Sequence, residues 1–160
     1  MSSIAKKNLS IVLCVGRPYK IYIYTGMWTY QGKPFEPDDE LLESYQGFVY
    51  CLTNLKNGKR YIGKKFFWSA RKLPPLKGKK RSRRKRVESN WREYYGSSEA
   101  VQTLIEEGVT FEREILRLCQ TKGECSYYEA KLQFEHDVLL NDMYYNEFIG
   151  CKIHAKHIKS

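Results

Sequence analysis

Gly47-Phe48-Val49-Tyr50-Cys51-Leu52-Thr53-Asn54 is followed, one residue on, by Lys56-Asn57-Gly58-Lys59 and then by Arg60-Tyr61-Ile62-Gly63. β-Branched and aromatic residues fill both arms, and Asn57-Gly58 offers the positive-φ positions of a type I′ turn, so the stretch predicts a β-hairpin. Tyr50 and Tyr61 are expected to face each other across it, two phenols on one small rigid sheet, with Gly63 just beyond. Gly63 reads either as a bulge or as a place where a substrate comes close to the backbone.

Charge is distributed unevenly around this hairpin. No Asp or Glu occurs from Tyr45 to Val87, and residues 59 to 86 hold 14 of the 28 Lys and Arg, so the formal net charge of +10 belongs to one segment. A localised cationic field points to a polyanionic partner. Residues 72–86 contain Pro74-Pro75 and Gly78 among nine Lys or Arg. Such a segment repels itself and buries little, which predicts a mobile basic loop over 72–90. Lys64, Lys65, Lys79, Lys80, Arg81, Arg83, Arg84, Lys85, Arg86 and Arg92 are the candidates for neutralising nucleic-acid phosphates, with binding that weakens as salt rises.

Outside the hairpin, residues 28–46 read as a turn and a short helix opened by Asp38-Asp39-Glu40. Ser97-Ser98 caps a helix that carries Val101, Leu104 and Ile105 at helical spacing and stops at Gly108. Thr110 to Cys119 alternates as a strand, with Phe111 and Ile115 inward, and a second helix is expected from about Ser126 to Leu140. The order strand, strand, helix, strand, helix is α+β. One domain of residues 46–150 is expected, preceded by an N-terminal extension and lead-in over 1–45 and followed by a basic tail over 151–160. Tyr19 to Tyr24 alternates as an extra strand would, yet deletion of residues 1–26 is expected to leave function intact.

At 160 residues, 42% hydrophobic and 14% aromatic, the chain is long enough for one real core. No apolar run approaches the roughly 20 residues that span a bilayer, so no membrane partner is expected. Five cysteines without a C-x-x-C pair suggest free thiols in a reducing, cytoplasmic compartment. Cys151, His154 and His157, with Cys119 or Cys125, form a weak zinc candidate.

The pattern resembles the GIY-YIG nuclease family. Phe48-Val49-Tyr50 stands for the first triplet, with Gly47 one position early, and Tyr61-Ile62-Gly63 matches the second. Arg71 falls where that family places a phosphate-contacting arginine at the start of its first helix. Glu129, within Ser126-Tyr127-Tyr128-Glu129-Ala130-Lys131-Leu132-Gln133-Phe134, falls where it keeps a metal-binding glutamate, and Asn146 matches its late asparagine. Pro74-Pro75 sits one turn beyond Arg71 and excludes the family's first helix there. Arg92 or Arg81 then stand as substitutes for Arg71, and Tyr94 or Tyr95 for the missing ring.

The resemblance, over roughly residues 46–150, implies a three-stranded antiparallel sheet flanked by helices. It also implies a DNA endonuclease of phage or mobile-element type, acting in a bacterial host's cytoplasm, with one Mg²⁺ or Mn²⁺ on Glu129. Tyr50, Tyr61, Arg71, Glu129 and Asn146 would be its catalytic set. Tyr50 would act as base or position water, provided that Arg60, Lys64 and Lys65 lower a phenol pKa of about 10. The substrate would be double-stranded, branched or single-stranded DNA, and concerted cutting of both strands would need a dimer. The competing reading is a non-catalytic basic DNA- or RNA-binding accessory that keeps the fold.

Overall fold

The computed structural model describes residues 9–11, 22–24 and 26–158. Strands β1 (Leu9–Ile11) and β2 (Tyr22–Tyr24) pair antiparallel. The rest of the expected strand, Tyr19 to Ile21, lies outside the described residues. Then follow β3 (Trp28–Tyr30), β4 (Lys33–Pro34), α1 (Asp39–Ser44), β5 (Gly47–Asn54) and β6 (Arg60–Phe66). After these come β7 (Trp68–Leu73), β8 (Arg83–Glu88), a 3-10 turn at Trp91–Glu93, α2 (Glu99–Glu106), β9 (Phe111–Cys119) and α3 (Lys122–Glu135), with a last 3-10 turn at Ala155–His157.

The main sheet has five strands in the order β4-β3-β9-β5-β6. Its antiparallel core, β9-β5-β6, is the expected three-stranded unit. β3 adds to that unit parallel to β9, and β4 adds antiparallel to β3, so the sheet is mixed and larger than expected. Two strands of the sheet therefore lie on the N-terminal side of residue 46. Parallel pairing across more than eighty residues leaves no local sequence signal, and strands of three and two residues are too short to show alternation.

β5 lies between β9 and β6 and is buried on both faces. Phe48, Tyr50 and Leu52 point to one face, where Trp28, Phe67, Trp91, Val101, Phe111 and Ile115 join them. Val49 and Cys51 point to the other and pack with Ile62, Cys119, Cys125 and Val138 beneath α3. A bulge in the β9 pairing beside Val49 and Tyr50 shifts the register locally.

The connection at the tip of β5-β6 differs from a type I′ turn, because Gly58 alone within it has positive φ, at 75°. Asn54 Oδ1 accepts from Lys56 N at 2.8 Å and Asn57 Oδ1 accepts from Lys59 N at 3.0 Å. The two asparagines thus build the loop by side-chain bonding to nearby backbone. Tyr50 pairs with Gly63 and Leu52 with Tyr61, so the two phenols are diagonal neighbours on one face, with ring centroids 6.3 Å apart.

Asp38 caps α1 through Leu41 N, and Ser98 caps α2 through Val101 N, both as the acidic and Ser-Ser stretches predict. α3 begins at Lys122, capped by Thr121, and ends at Glu135, one turn earlier in the chain than expected at each end. The basic segment is a loop only in part: residues 72–73 belong to β7 and 83–88 to β8, and residues 74–82 connect them outside any strand. Backbone hydrogen bonding between β7 and β8 makes it a two-stranded ribbon separate from the main sheet, because that ladder needs no buried side chain. No helix among the described residues is long and apolar enough to cross a membrane.

Candidate active site

β6 is the edge strand, and the chain from Met143 to Asn146 lies along it. Arg60 N donates to the Met143 carbonyl and Tyr145 N to the Arg60 carbonyl, at 2.8 and 2.7 Å. Asn146 continues the pairing with its side chain: Oδ1 accepts from Ile62 N at 3.0 Å and Nδ2 donates to the Ile62 carbonyl at 2.8 Å. Gln133, buried on α3, donates to the same carbonyl at 2.9 Å.

Beside this edge opens a cleft of about 400 Å³. Tyr61 and Lys64 line it from β6, Ser97 and Glu99 from the start of α2, Glu129 and Gln133 from α3, and Asn146, Glu147 and Phe148 from the final segment. It wraps around the sheet edge, since Tyr61 and Lys64 are three residues apart and project to opposite faces. Tyr61, Glu129 and Asn146 are thereby brought together, although Tyr61 and Glu129 are 68 residues apart in the chain.

Tyr50 is 1% exposed and does not line the cleft. Its phenol is pushed well above the ordinary value, first by burial and then by Tyr94 and Tyr61, and it hydrogen-bonds to Tyr94. The expected lowering by cations is reversed because burial dominates, while Lys65 Nζ stands 3.9 Å over the Tyr94 ring and Lys64 is paired with Glu129. Tyr61 is also raised by burial, with a hydrogen bond from Ser97 acting the other way. Both phenols are neutral across physiological pH. Their packing explains Gly63, where a Cβ would lie 2.6 Å from Tyr50 Oη and 2.9 Å from Tyr61 Cε1. The glycine makes room for the tyrosine rings themselves.

Glu129 is ion-paired with Lys64, both partly buried. Lys64 is the only Lys or Arg among the described lining residues, against three carboxylates, Glu99, Glu129 and Glu147. An anionic phosphodiester entering a cleft of that balance needs a further cation. Among the described residues no three His, Cys, Asp or Glu side chains gather to hold one. A single carboxylate with oxygen ligands from water and substrate is how Mg²⁺ is commonly bound, so the donor set fits a hard divalent ion on Glu129.

Arg71 is not brought to the cleft. It lies exposed on β7, opposite Lys85. Arg83, Arg84 and Lys85 share that ribbon on β8, Lys79, Lys80 and Arg81 lie in the connection between its two strands, and Arg86 stands at its root. Arg92 pairs with Glu88 at 3.2 Å and stacks on Trp91.

Several residues that build the site carried no functional reading in the sequence. Ser97 bonds Tyr61, and the only signal was the run Tyr94-Tyr95-Gly96-Ser97-Ser98 that leads into α2. Arg113 is buried, and its guanidinium donates to the carbonyls of Arg92, Tyr94 and Gly26 at 2.8, 3.1 and 2.5 Å. It sits between the Trp28 and Tyr95 rings, at 4.8 and 4.3 Å, and burial lowers its pKa. Arg113 thus ties the segment that delivers Tyr94 and Ser97 to the sheet, and an arginine in a charged, alternating strand gives no hint of this.

An edge-strand Y-I-G tyrosine beside a helical glutamate and a strand-capping asparagine is the arrangement expected of a GIY-YIG domain. A family model described as "Putative endonuclease segE, GIY-YIG domain" matches residues 28–149, and the chain belongs to that family. The match begins at β3, so it takes in the strands that enlarge the sheet. No curated protein and no solved structure matches the chain.

Proposed function

We propose that the protein is a metal-dependent DNA endonuclease that hydrolyses phosphodiester bonds in the edge-strand cleft. The observation that carries this reading is the meeting of Tyr61, Lys64 and Glu129 in one opening of a GIY-YIG domain. Glu129 would hold one Mg²⁺ or Mn²⁺, which when bound supplies charge stabilisation for the phosphoryl oxygens and the departing 3′ oxygen. Lys64 neutralises Glu129 in its absence and is placed to turn to a phosphate oxygen when the carboxylate is otherwise engaged. Tyr61, neutral and bonded to Ser97, orients the attacking water by hydrogen bonding. Tyr50 is a positioning residue that fixes Tyr61 and Tyr94 from below, and Asn146 holds the edge strand in place. With Arg71 absent from the cleft lining, the scissile phosphate is met by Lys64, and the ribbon's cations hold the flanking backbone.

Plasmid nicking tests the reading. Supercoiled DNA should relax in Mg²⁺ or Mn²⁺ and stay intact in EDTA, and Glu129→Ala should lower the rate at least about 100-fold, in the range for loss of a group that acts on the transition state. Tyr61→Phe should cost about 10- to 1000-fold. Binding of DNA without cleavage under every condition would replace the nuclease with a non-catalytic binding protein, and cleavage that survives Glu129→Ala would place the chemistry elsewhere.

A further inference from the structure

The β7-β8 ribbon is held at its root by side-chain contacts and is densely cationic beyond it. At its root Trp68 Nε1 donates to the Leu42 and Tyr45 carbonyls at 3.2 and 3.1 Å. Arg86 stacks 4.0 Å over the Trp68 ring and pairs with Glu43 at 2.5 Å, while Ser89 bonds the Phe66 and Phe67 carbonyls. Farther out the register sets Arg71 opposite Lys85, Lys72 opposite Arg84 and Leu73 opposite Arg83. Like charges placed directly across an antiparallel pair destabilise it. From Trp68 to Glu88 there are ten Lys and Arg against one acidic residue.

Alternation along the strands splits these charges between the two faces of the ribbon. Lys72 and Arg84 share one face with Arg86, whereas Arg71, Lys85 and Arg83 share the other. A flat anionic surface or an extended single strand engages one face at a time. A groove with phosphates along both walls engages both. The major groove of B-form DNA, about 12 Å wide and 8.5 Å deep, admits a two-stranded ribbon, whereas that of A-form RNA is too narrow for side chains to read. Six residues of strand reach about 20 Å, enough to enter it from a root held on the protein.

We infer that β7-β8 is an arm that inserts into the major groove of double-stranded DNA, with cations on both faces meeting the two phosphate walls. This deepens the nuclease reading by naming B-form duplex as the substrate form, and rests on it only for DNA as the partner. The arm stays exposed and internally repulsive because the duplex supplies the missing counter-charge.

The test is binding in EDTA by fluorescence anisotropy, with a DNA duplex, an RNA duplex of the same sequence and a single DNA strand, alongside dimethyl sulfate protection of guanine N7 on the DNA duplex. The wild type should protect N7 and bind the DNA duplex at least about tenfold more tightly than the other two. The quadruple variant Arg71→Gln, Lys72→Gln, Arg84→Gln, Lys85→Gln should lose N7 protection and at least about tenfold in duplex affinity. Its log-log salt slope should be shallower by about 2 to 4. Its thermal midpoint should be equal or higher, since like-charge pairs are removed.

Wild-type duplex affinity and slope in the folded quadruple variant would overturn the inference, as would equal affinity for duplex RNA. Absence of N7 protection by the wild type would do the same without any variant, so a misfolded variant leaves the claim open to refutation. N7 protection by a protein that cannot nick in Mg²⁺ would refute the nuclease and leave the arm standing.

Discussion

The amide of Asn146 closes on the backbone of Ile62 from both directions, accepting from its N–H at 3.0 Å and donating to its carbonyl at 2.8 Å. A side chain thereby takes the part of a neighbouring strand at the sheet edge, satisfying buried polar groups where the cleft begins. Asn146→Asp keeps the acceptor but sets a carboxylate oxygen against the Ile62 carbonyl. An unsatisfied or repelled buried pair costs about 1–3 kcal/mol, which urea unfolding should register as a lower midpoint at unchanged slope. Nicking should fall with it, because Tyr61 and Lys64 flank Ile62 on the same strand.

Gly63→Ala should be more damaging than a single methyl suggests. The new Cβ would meet Tyr50 Oη at 2.6 Å and Cζ at 2.8 Å, and the Tyr50 ring is fixed within the buried core. Overpacking of this kind costs about 1–3 kcal/mol, again read by urea. Near-UV circular dichroism should change as the two tyrosines are displaced.

Arg113→Met should loosen the segment behind the cleft while leaving its lining residues in the sequence. Three carbonyls lose a charged donor, at about 1.5–3 kcal/mol for a hydrogen bond to a charged group, so a loss of at least about 2 kcal/mol is expected. Hydrogen exchange should quicken at residues 92–97 ahead of the β5-β6 hairpin. Uniform protection across both would show that Arg113 does not hold that segment.

Stability should fall at alkaline pH. Burial raises the Tyr50 and Tyr61 phenols above their ordinary value of 10.0, and raises the Cys51 thiol from 9.0 to about 11. In each case the folded state holds its proton more tightly than the unfolded chain, so the contribution is complete below the unfolded pKa and is lost as pH rises through the folded one. Chemical denaturation should therefore show stability declining from about pH 9 upward, and Tyr50→Phe should flatten the part above pH 10. The nicking rate should show no limb from phenol ionisation between pH 6 and 9.

Removal of residues 1–25 should leave the fold and the nicking rate unchanged. The truncation stops before Gly26 because its carbonyl accepts from Arg113, and the family match starts at residue 28. A folded truncated protein without activity would assign those residues a part in function.

Local chemistry alone was enough to specify the hairpin arms, the capped helix after Ser98, the strand from Phe111 and the helix that carries Glu129. Each of these rests on alternation, helical spacing or a capping side chain, which neighbours in the chain dictate. Assembly was needed for what no window of sequence contains: β3 beside β9, the ladder that turns a self-repelling basic run into a ribbon, and the buried Arg113 clamp. Assembly also decided the state of the phenols. The sequence supplied cations near Tyr50, but packing put the ring within the core and sent Lys64 to Glu129 and Lys65 to Tyr94, so desolvation governs its proton. Motif spacing named the residues of the site, whereas burial, a property of the whole fold, keeps its two phenols protonated.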